Sequence, residues 1–151
     1  MDSDARRRLI ENALAMLEEG STLPAVSLEE FFEGNTDEAS IGVNLPEEKH
    51  IGLAGFQRAL SAIRERPDVQ GVFLELTEIP EPDEQADADI WPTACVAFVV
   101  TSALRSDVSE WVASLHPRDI SEGWCVQPSV KTPIADVDLS PGMRPLRVWL
   151  L

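Results

Sequence analysis

Basic residues are scarce in this chain: 12 Lys and Arg stand against 27 Asp and Glu, and the formal net charge is −15 at pH 7. Residues 9–48 contain no Lys or Arg, and neither do residues 67–104. Nucleic acids and anionic membrane surfaces attract proteins mainly through Lys and Arg side chains. The shortage of positive charge therefore argues against a nucleic-acid partner and against a membrane partner.

Long hydrophobic runs and recognisable catalytic motifs are missing as well. No apolar run approaches the roughly 20 residues that span a bilayer, and the polar N-terminus lacks the apolar segment of a secretory signal. We therefore expect a cytoplasmic protein in which Cys95 and Cys125 are reduced thiols. The sequence contains no G-x-S-x-G, G-x-G-x-x-G or Walker motif, so no cofactor is expected and the pattern favours a protein without catalytic activity.

The few cysteines and histidines do not have the spacing of a metal site. Cys95, Cys125, His50 and His116 would supply four zinc ligands, but no two of them lie closer than nine residues apart. Structural zinc sites place their ligands in close pairs. We predict buried, metal-free thiols, and an exposed His50 in the charged turn 47–49 in preference to a general base.

The remaining composition is that of a globular protein. Of the 151 residues, 44% are hydrophobic, and a chain of this length folds as one domain, which we assign to residues 1–151. Helical periodicity predicts helices at 4–19 (capped by Ser3, stopped by Gly20), 28–33, 52–65 and 106–116 (capped by Ser106). Ser27 and Glu30 have the spacing of a capping box at the start of the second helix.

Four strands are predicted from alternation or from continuous apolar character, at 40–45, 71–79, 94–101 and 145–151. The order predicts an α+β fold with a ferredoxin-like β-α-β-β-α-β sheet and two extra N-terminal helices. Strand 94–101 should be interior, and helices 52–65 and 106–116 should share one face. The two N-terminal helices are expected on the other face or at an edge, and a homo-oligomer would form through an edge strand.

The segment 78–89 is predicted to be a solvated acidic loop between two strands. Its carboxylates are ligands of the kind that Ca²⁺ or Mg²⁺ prefers, but 83–89 lacks the glycine turn and the distant bidentate Glu of an EF-hand. Residues 34–38 suit a helix C-cap followed by a turn. We predict no metal site in either segment.

Tryptophan is the aromatic residue that most often anchors interfaces. The register of helix 106–116 assigns Trp111 to the core, whereas Trp91, Trp124 and Trp149 suit either the core or a contact surface. A surface Trp beside carboxylates would receive a basic partner by cation–π contact and ion pairing.

The leading hypothesis is a small acidic cytoplasmic protein-interaction module that binds a basic protein. An inhibitor or immunity-type protein for a cationic toxin or nuclease would be similar in size and charge. Partner-binding residues are expected in two patches, one around the acidic loop and one after the second helix. They are Glu75, Glu78, Glu81, Asp83, Glu84, Asp87, Asp89 and Trp91, with Glu33, Asp37 and Glu38 as the second patch.

Two alternatives stay open at the level of sequence. One is a small enzyme or ligand-binding domain that uses a cleft between the sheet and the N-terminal helices, with a divalent metal held by the same carboxylates. The other is acidity that serves only solubility or salt adaptation. The identity of a partner or substrate and the oligomeric state are not encoded in any motif.

Overall fold

The computed structural model describes residues 1–19, 24–83, 88–124 and 137–150. It has an α+β fold in which five strands form one antiparallel sheet of order β1-β2-β3-β5-β4. The helices are α1 (Ser3–Glu18), α2 (Leu28–Phe32), α3 (Gly52–Arg64) and α4 (Arg105–Trp111), with 3₁₀ helices at Glu38–Ser40 and Ala113–Leu115. The strands are β1 (Ala25–Ser27), β2 (Val69–Glu78), β3 (Thr93–Thr101), β4 (Asp119–Glu122) and β5 (Arg144–Trp149).

Strand β3 occupies the centre of the sheet, between β2 and β5. Every residue from Ala94 to Thr101 is buried, which is the reason for its unbroken apolar sequence. The predicted interior position of 94–101 is therefore confirmed. Strands β2 and β3 are consecutive and antiparallel, so the acidic loop connects two of the three inner strands of the sheet.

One apolar core joins the helices to one face of the sheet. It contains Leu9 of α1, Phe31 of α2, Phe56 of α3, Val108 of α4 and Leu74 of β2. Helices α1 and α2, expected on the other face or at an edge, thus belong to the same core as α3 and α4. The cause is local: β1 pairs with the edge of β2, and α2 begins directly after it, so the chain turns onto the helix-covered face.

The predicted strand at 40–45 is wrong. The chain there continues from the 3₁₀ helix, and only Ile41 forms an isolated parallel bridge, with Ala94. Gly42 has a left-handed φ of 68°, and its carbonyl accepts the amide of Leu45 at 3.0 Å. A turn therefore replaces the strand, and the ferredoxin-like order is not confirmed. Sequence alternation also missed β1 and β4, which have 3 and 4 residues.

Of the three predicted helix N-caps, the one at Ser27 is present and those at Ser3 and Ser106 are not. The capping box is present: Ser27 Oγ accepts the Glu30 amide at 3.1 Å, and Glu30 Oε1 accepts the Ser27 amide at 3.2 Å. Helix α1 is capped by the Asp2 carboxylate and not by Ser3. Helix α4 begins one residue before Ser106, which is inside the helix. In the described ranges no helix has the length and apolar character needed to cross a membrane.

Candidate functional site

Carboxylates dominate the surface of the described part of the chain. Its acidic residues are all exposed except Asp37, Asp68, Glu75 and Asp107. Few of the exposed ones are neutralised locally, because ion pairs between the described residues involve only a minority of them. The exposed carboxylates that pair with an arginine are Glu29, Asp83, Asp119 and Glu122.

The acidic loop is held against helix α1 by Arg6. This guanidinium is buried and donates three hydrogen bonds to backbone carbonyls of the loop. Nε binds the Ile90 oxygen at 2.8 Å, and the two terminal nitrogens bind the Pro82 and Glu81 oxygens, each at 3.3 Å. The two ends of the loop, at residues 81–82 and at Ile90, are therefore fixed to the first helix.

Arg7 adds an exposed ion pair to this attachment. Its guanidinium contacts the Asp83 carboxylate, and the hydrogen bond and charge of Asp83 raise the pKa of Arg7. Both side chains are solvent-exposed, so the pair contributes little to stability. Asp83 thus has a defined position but stays accessible to a partner.

Two carboxylates of the second predicted patch, Asp37 and Glu38, form hydrogen bonds within the fold. Asp37 Oδ2 accepts the Trp91 amide at 3.1 Å, which places this patch beside the end of the acidic loop. Glu38 Oε2 accepts the Leu53 amide at 2.6 Å and so satisfies a donor in the first turn of α3. Glu33 is exposed directly after α2. The structure therefore brings Asp37 of the second patch to Trp91, at the end of the acidic loop.

Glu75 is not part of the acidic surface. It is 2% exposed and accepts a 3.1 Å hydrogen bond from Arg147, which is 7% exposed, on the sheet face opposite the helices. Trp149 stacks on this guanidinium, with 4.0 Å between the Arg147 Cζ and the ring centroid. Burial raises the pKa of Glu75 despite the attraction of Arg147. Its assignment as a partner contact is therefore corrected: the alternation of β2 places Glu75 on the second face of the sheet, where it is buried against Arg147.

Trp91 is corrected in the same way, because it is fully buried in the main core. The other tryptophans are partly buried. Trp111 packs under the Arg66 guanidinium, 3.9 Å from Cζ to the ring centroid. Trp124 meets Phe98 edge-on on the second sheet face. A tryptophan anchor for a partner is therefore not available at position 91.

Cys95 has the surroundings of a structural thiol. It is buried and unbridged, and Thr77 donates a hydrogen bond to its sulfur at 3.0 Å. Burial raises the pKa of the thiol, which disfavours the reactive thiolate. Among the described residues no three His, Cys, Asp or Glu side chains are grouped to hold a metal ion.

Several predicted residues are exposed where a partner would reach them, and others cannot be placed. Glu78, Glu81 and Asp89 are solvent-accessible carboxylates of the loop and its flanks. The remaining predictions fall outside the described residues. These are the loop carboxylates Glu84 and Asp87, the helix stop Gly20 and the second cysteine Cys125.

Sequence reasoning missed a groove beside the second patch, which we call the 38–50 groove. It has a volume of about 530 Å³ and occupies the place of the wrongly predicted strand. The signal was present in Gly42 and in the turn 46–50, but the alternation of 41–45 obscured it. The residues that line the groove are Glu38, Ala39, Gly42, Val43, Leu45, Glu47 and His50.

Comparison with known proteins identifies relatives of this chain. Residues 4–148 match the sequence profile of the family described as "Uncharacterized protein YfbO family". The chain is similar to "Uncharacterized protein YfbO" of Escherichia coli (strain K12), with 33% identity over 128 residues that cover 83% of this chain and 81% of the relative. No solved structure matches the chain.

Proposed function

The chain belongs to the YfbO family, and we propose that it is a cytoplasmic, non-catalytic interaction module whose acidic surface binds a basic protein. The observation that supports this proposal is the excess of exposed carboxylates without an arginine partner in the described part of the chain. Such a surface attracts a cationic protein at long range. An inhibitor or immunity-type protein for a cationic toxin or nuclease is one function of this kind.

The acidic surface, as we use the term, consists of exposed carboxylates of the acidic loop and its flanks, which lie against the start of α1, and of the segment after α2. Arg6 holds one part there by its bonds to the loop, and the Asp37–Trp91 hydrogen bond holds the other part beside it. Neighbouring charges sum their fields, and a focused field raises association rates by 10–10³-fold. Its members are Glu33, Glu38, Glu78, Glu81, Asp83 and Asp89.

Two triple charge reversals with the same change in net charge test the proposal. The loop variant carries Glu81→Lys, Asp83→Lys and Asp89→Lys. The control variant carries Glu65→Lys, Glu110→Lys and Asp138→Lys, which are also exposed but outside the acidic surface. Affinity capture from native cell extract at low and high salt supplies the partner, and hen lysozyme serves as a cationic protein without a cognate site.

With the captured partner, the loop variant should associate about 10-fold or more slowly than the native chain at low salt, and the control variant should not. The difference should shrink near 1 M salt, where the Debye length is about 3 Å. Equal slowing by both variants, or equal behaviour of the captured partner and lysozyme, would leave only a non-specific charge effect and would refute the proposal.

The alternative, a divalent-metal-dependent enzyme or ligand-binding domain, predicts a different result. Ca²⁺ or Mg²⁺ would then raise the melting temperature of the native chain, because an ion that binds only the folded state stabilises it. The loop variant would lose this rise and the control variant would keep it. Melting curves with and without each ion require no knowledge of the partner.

A further inference from the structure

The 38–50 groove has an apolar floor that is open to solvent. Val43, which lines the groove, is 48% exposed, so a large apolar side chain faces water there. Leu45 is half-buried and packs against the main core. Pockets of about 300–1,000 Å³ suit small ligands or anchoring side chains, and the groove falls within that range.

The prediction of an exposed His50 is wrong, because the residue is half-buried and forms one wall of the groove. Its Nδ1 accepts the Gly52 amide at 3.0 Å, so the ring proton is on Nε2, which donates to the Ile41 oxygen at 2.8 Å. Both ring nitrogens are therefore occupied by the backbone. General-base chemistry at His50 would require these bonds to break.

The backbone of the groove is closely packed and hydrogen-bonded within the chain. Gly42 has a left-handed conformation, and a Cβ atom added there would approach Phe56 Cζ to 2.8 Å and His50 Nε2 to 3.1 Å. The amides of Lys49 and His50 both bond the Pro46 carbonyl, at 2.9 and 3.1 Å. A preorganised groove has little ordering entropy to lose when it binds.

The rim of the groove selects the charge of its occupant. Glu38 and Glu47 line it, and the exposed Glu48 and Lys49 follow in the same turn. Negative charge prevails, and the nearby Asp37 adds to it. Two copies of this chain facing each other here would oppose like charges, which destabilises a complex. The rim therefore disfavours a second copy and favours a cationic occupant.

We infer that the 38–50 groove docks a segment of the basic partner in which a bulky apolar side chain is flanked by Lys or Arg. The apolar side chain covers Val43 and Leu45, and the flanking cations meet Glu38 and Glu47. This inference rests on the proposed function and sharpens it. The acidic surface determines the association rate of basic proteins, and the groove determines which of them dissociate slowly.

Two synthetic peptides of equal charge test the groove. The first is a 12-residue peptide with two adjacent leucines between lysine pairs, and the second has serines in place of the leucines. Binding is measured by titration calorimetry and by amide chemical-shift mapping on the full-length chain. The groove variant is Val43→Ser, and the matched control is Leu104→Ser, because Leu104 is 66% exposed on the helix α4 side.

The leucine peptide should bind the native chain about tenfold more tightly than the serine peptide, a difference of about 1.4 kcal/mol. Val43→Ser should remove this preference, and Leu104→Ser should retain it. The amide shifts that distinguish the two peptides should lie in residues 38–52. Val43 and Leu104 are both exposed, so neither substitution threatens the fold.

The other outcomes separate the two proposals. If both peptides bind equally and Val43→Ser has no effect, the groove proposal is overturned while attraction of basic ligands stands. If neither peptide shows salt-dependent binding, the proposed function itself fails. If the native chain forms a dimer that Val43→Ser dissociates, the groove is occupied by a second copy and the inference is wrong.

Discussion

The two faces of the sheet are made by alternate residues of the same strands, yet they differ in chemistry. On the helix-covered face Leu74 and Leu76 of β2 meet an entirely apolar core. On the second face the intervening Glu75 pairs with Arg147 and Thr77 bonds Cys95, beside a smaller aromatic cluster. A change of one residue in register would exchange the two environments.

We expect the two faces to contribute differently: the helix-covered face to the free energy of unfolding, and the second face to which residues pair across the strands. Apolar burial on the helix-covered face contributes to stability roughly in proportion to area. On the second face the desolvation of Glu75 outweighs its attraction to Arg147, and Arg147 Nε and Nη1 are buried without an acceptor among the residues that the structure describes. Such a pair is weak evidence for stability. We expect the Glu75–Arg147 pair to determine the register in which β2, β3 and β5 align.

The largest effect is expected from breaking the ion pair on one side only. Arg147→Met should lower the free energy of unfolding by about 3–5 kcal/mol at pH 7, because it leaves the Glu75 charge buried and unpaired. Glu75→Leu combined with Arg147→Met should restore stability to within about 1 kcal/mol of the native chain or above it. Urea unfolding measures both, and an additive double variant would refute the specificity argument.

A somewhat smaller loss is expected on the helix-covered face. Leu74→Ala removes a fully buried side chain and should cost about 3 kcal/mol through lost burial and the cavity left behind. No second substitution across the sheet should recover it, in contrast to the ion pair. Leu104→Ala, at an exposed site, serves as the control and should change stability by less than about 0.5 kcal/mol.

The smallest expected effect is a pH dependence of the free energy of unfolding, caused by Glu75 on the second face. The raised pKa of Glu75 means that the folded chain binds more protons than the unfolded chain once pH exceeds the ordinary Glu value. Its contribution to stability is therefore present at low pH and declines as pH rises towards the folded pKa, by at most about 1.4 kcal/mol per pH unit.

Urea unfolding of the native chain and of Glu75→Gln between pH 4 and 7 isolates this contribution, since Gln does not titrate. The stability of the native chain relative to the variant should fall with rising pH. A relative stability that rises with pH would show that attraction by Arg147 exceeds desolvation.

The sequence predicted the strands that have a long hydrophobic pattern and the helix cap that is formed by residues close in sequence. Examples are strand β3, the alternating faces of β2 and the Ser27–Glu30 capping box. Each depends only on neighbours within a few residues. The strand at 40–45 failed because a single left-handed glycine reversed the chain within an alternating pattern. Strands β1 and β4 are too short for periodicity to identify.

The site was less predictable than the fold, for a physical reason. Exposure of the loop carboxylates follows from composition, but the burial of Glu75 depends on Arg147, which is 72 residues away in sequence. The 38–50 groove likewise depends on the packing of Phe56 and His50 around Gly42. Contacts across such distances leave no periodic signal in a single sequence.

The attachment of the acidic loop by Arg6 has a consequence for the order in which the molecule folds. The bond from Arg6 to the Ile90 carbonyl spans 84 residues of the chain, and closing so long a segment has an entropic cost that slows contact formation. Helix α1 and the β2–β3 hairpin are each local and can form early. We therefore expect the two ends of the acidic loop that Arg6 binds to take their final orientation only when the first helix docks.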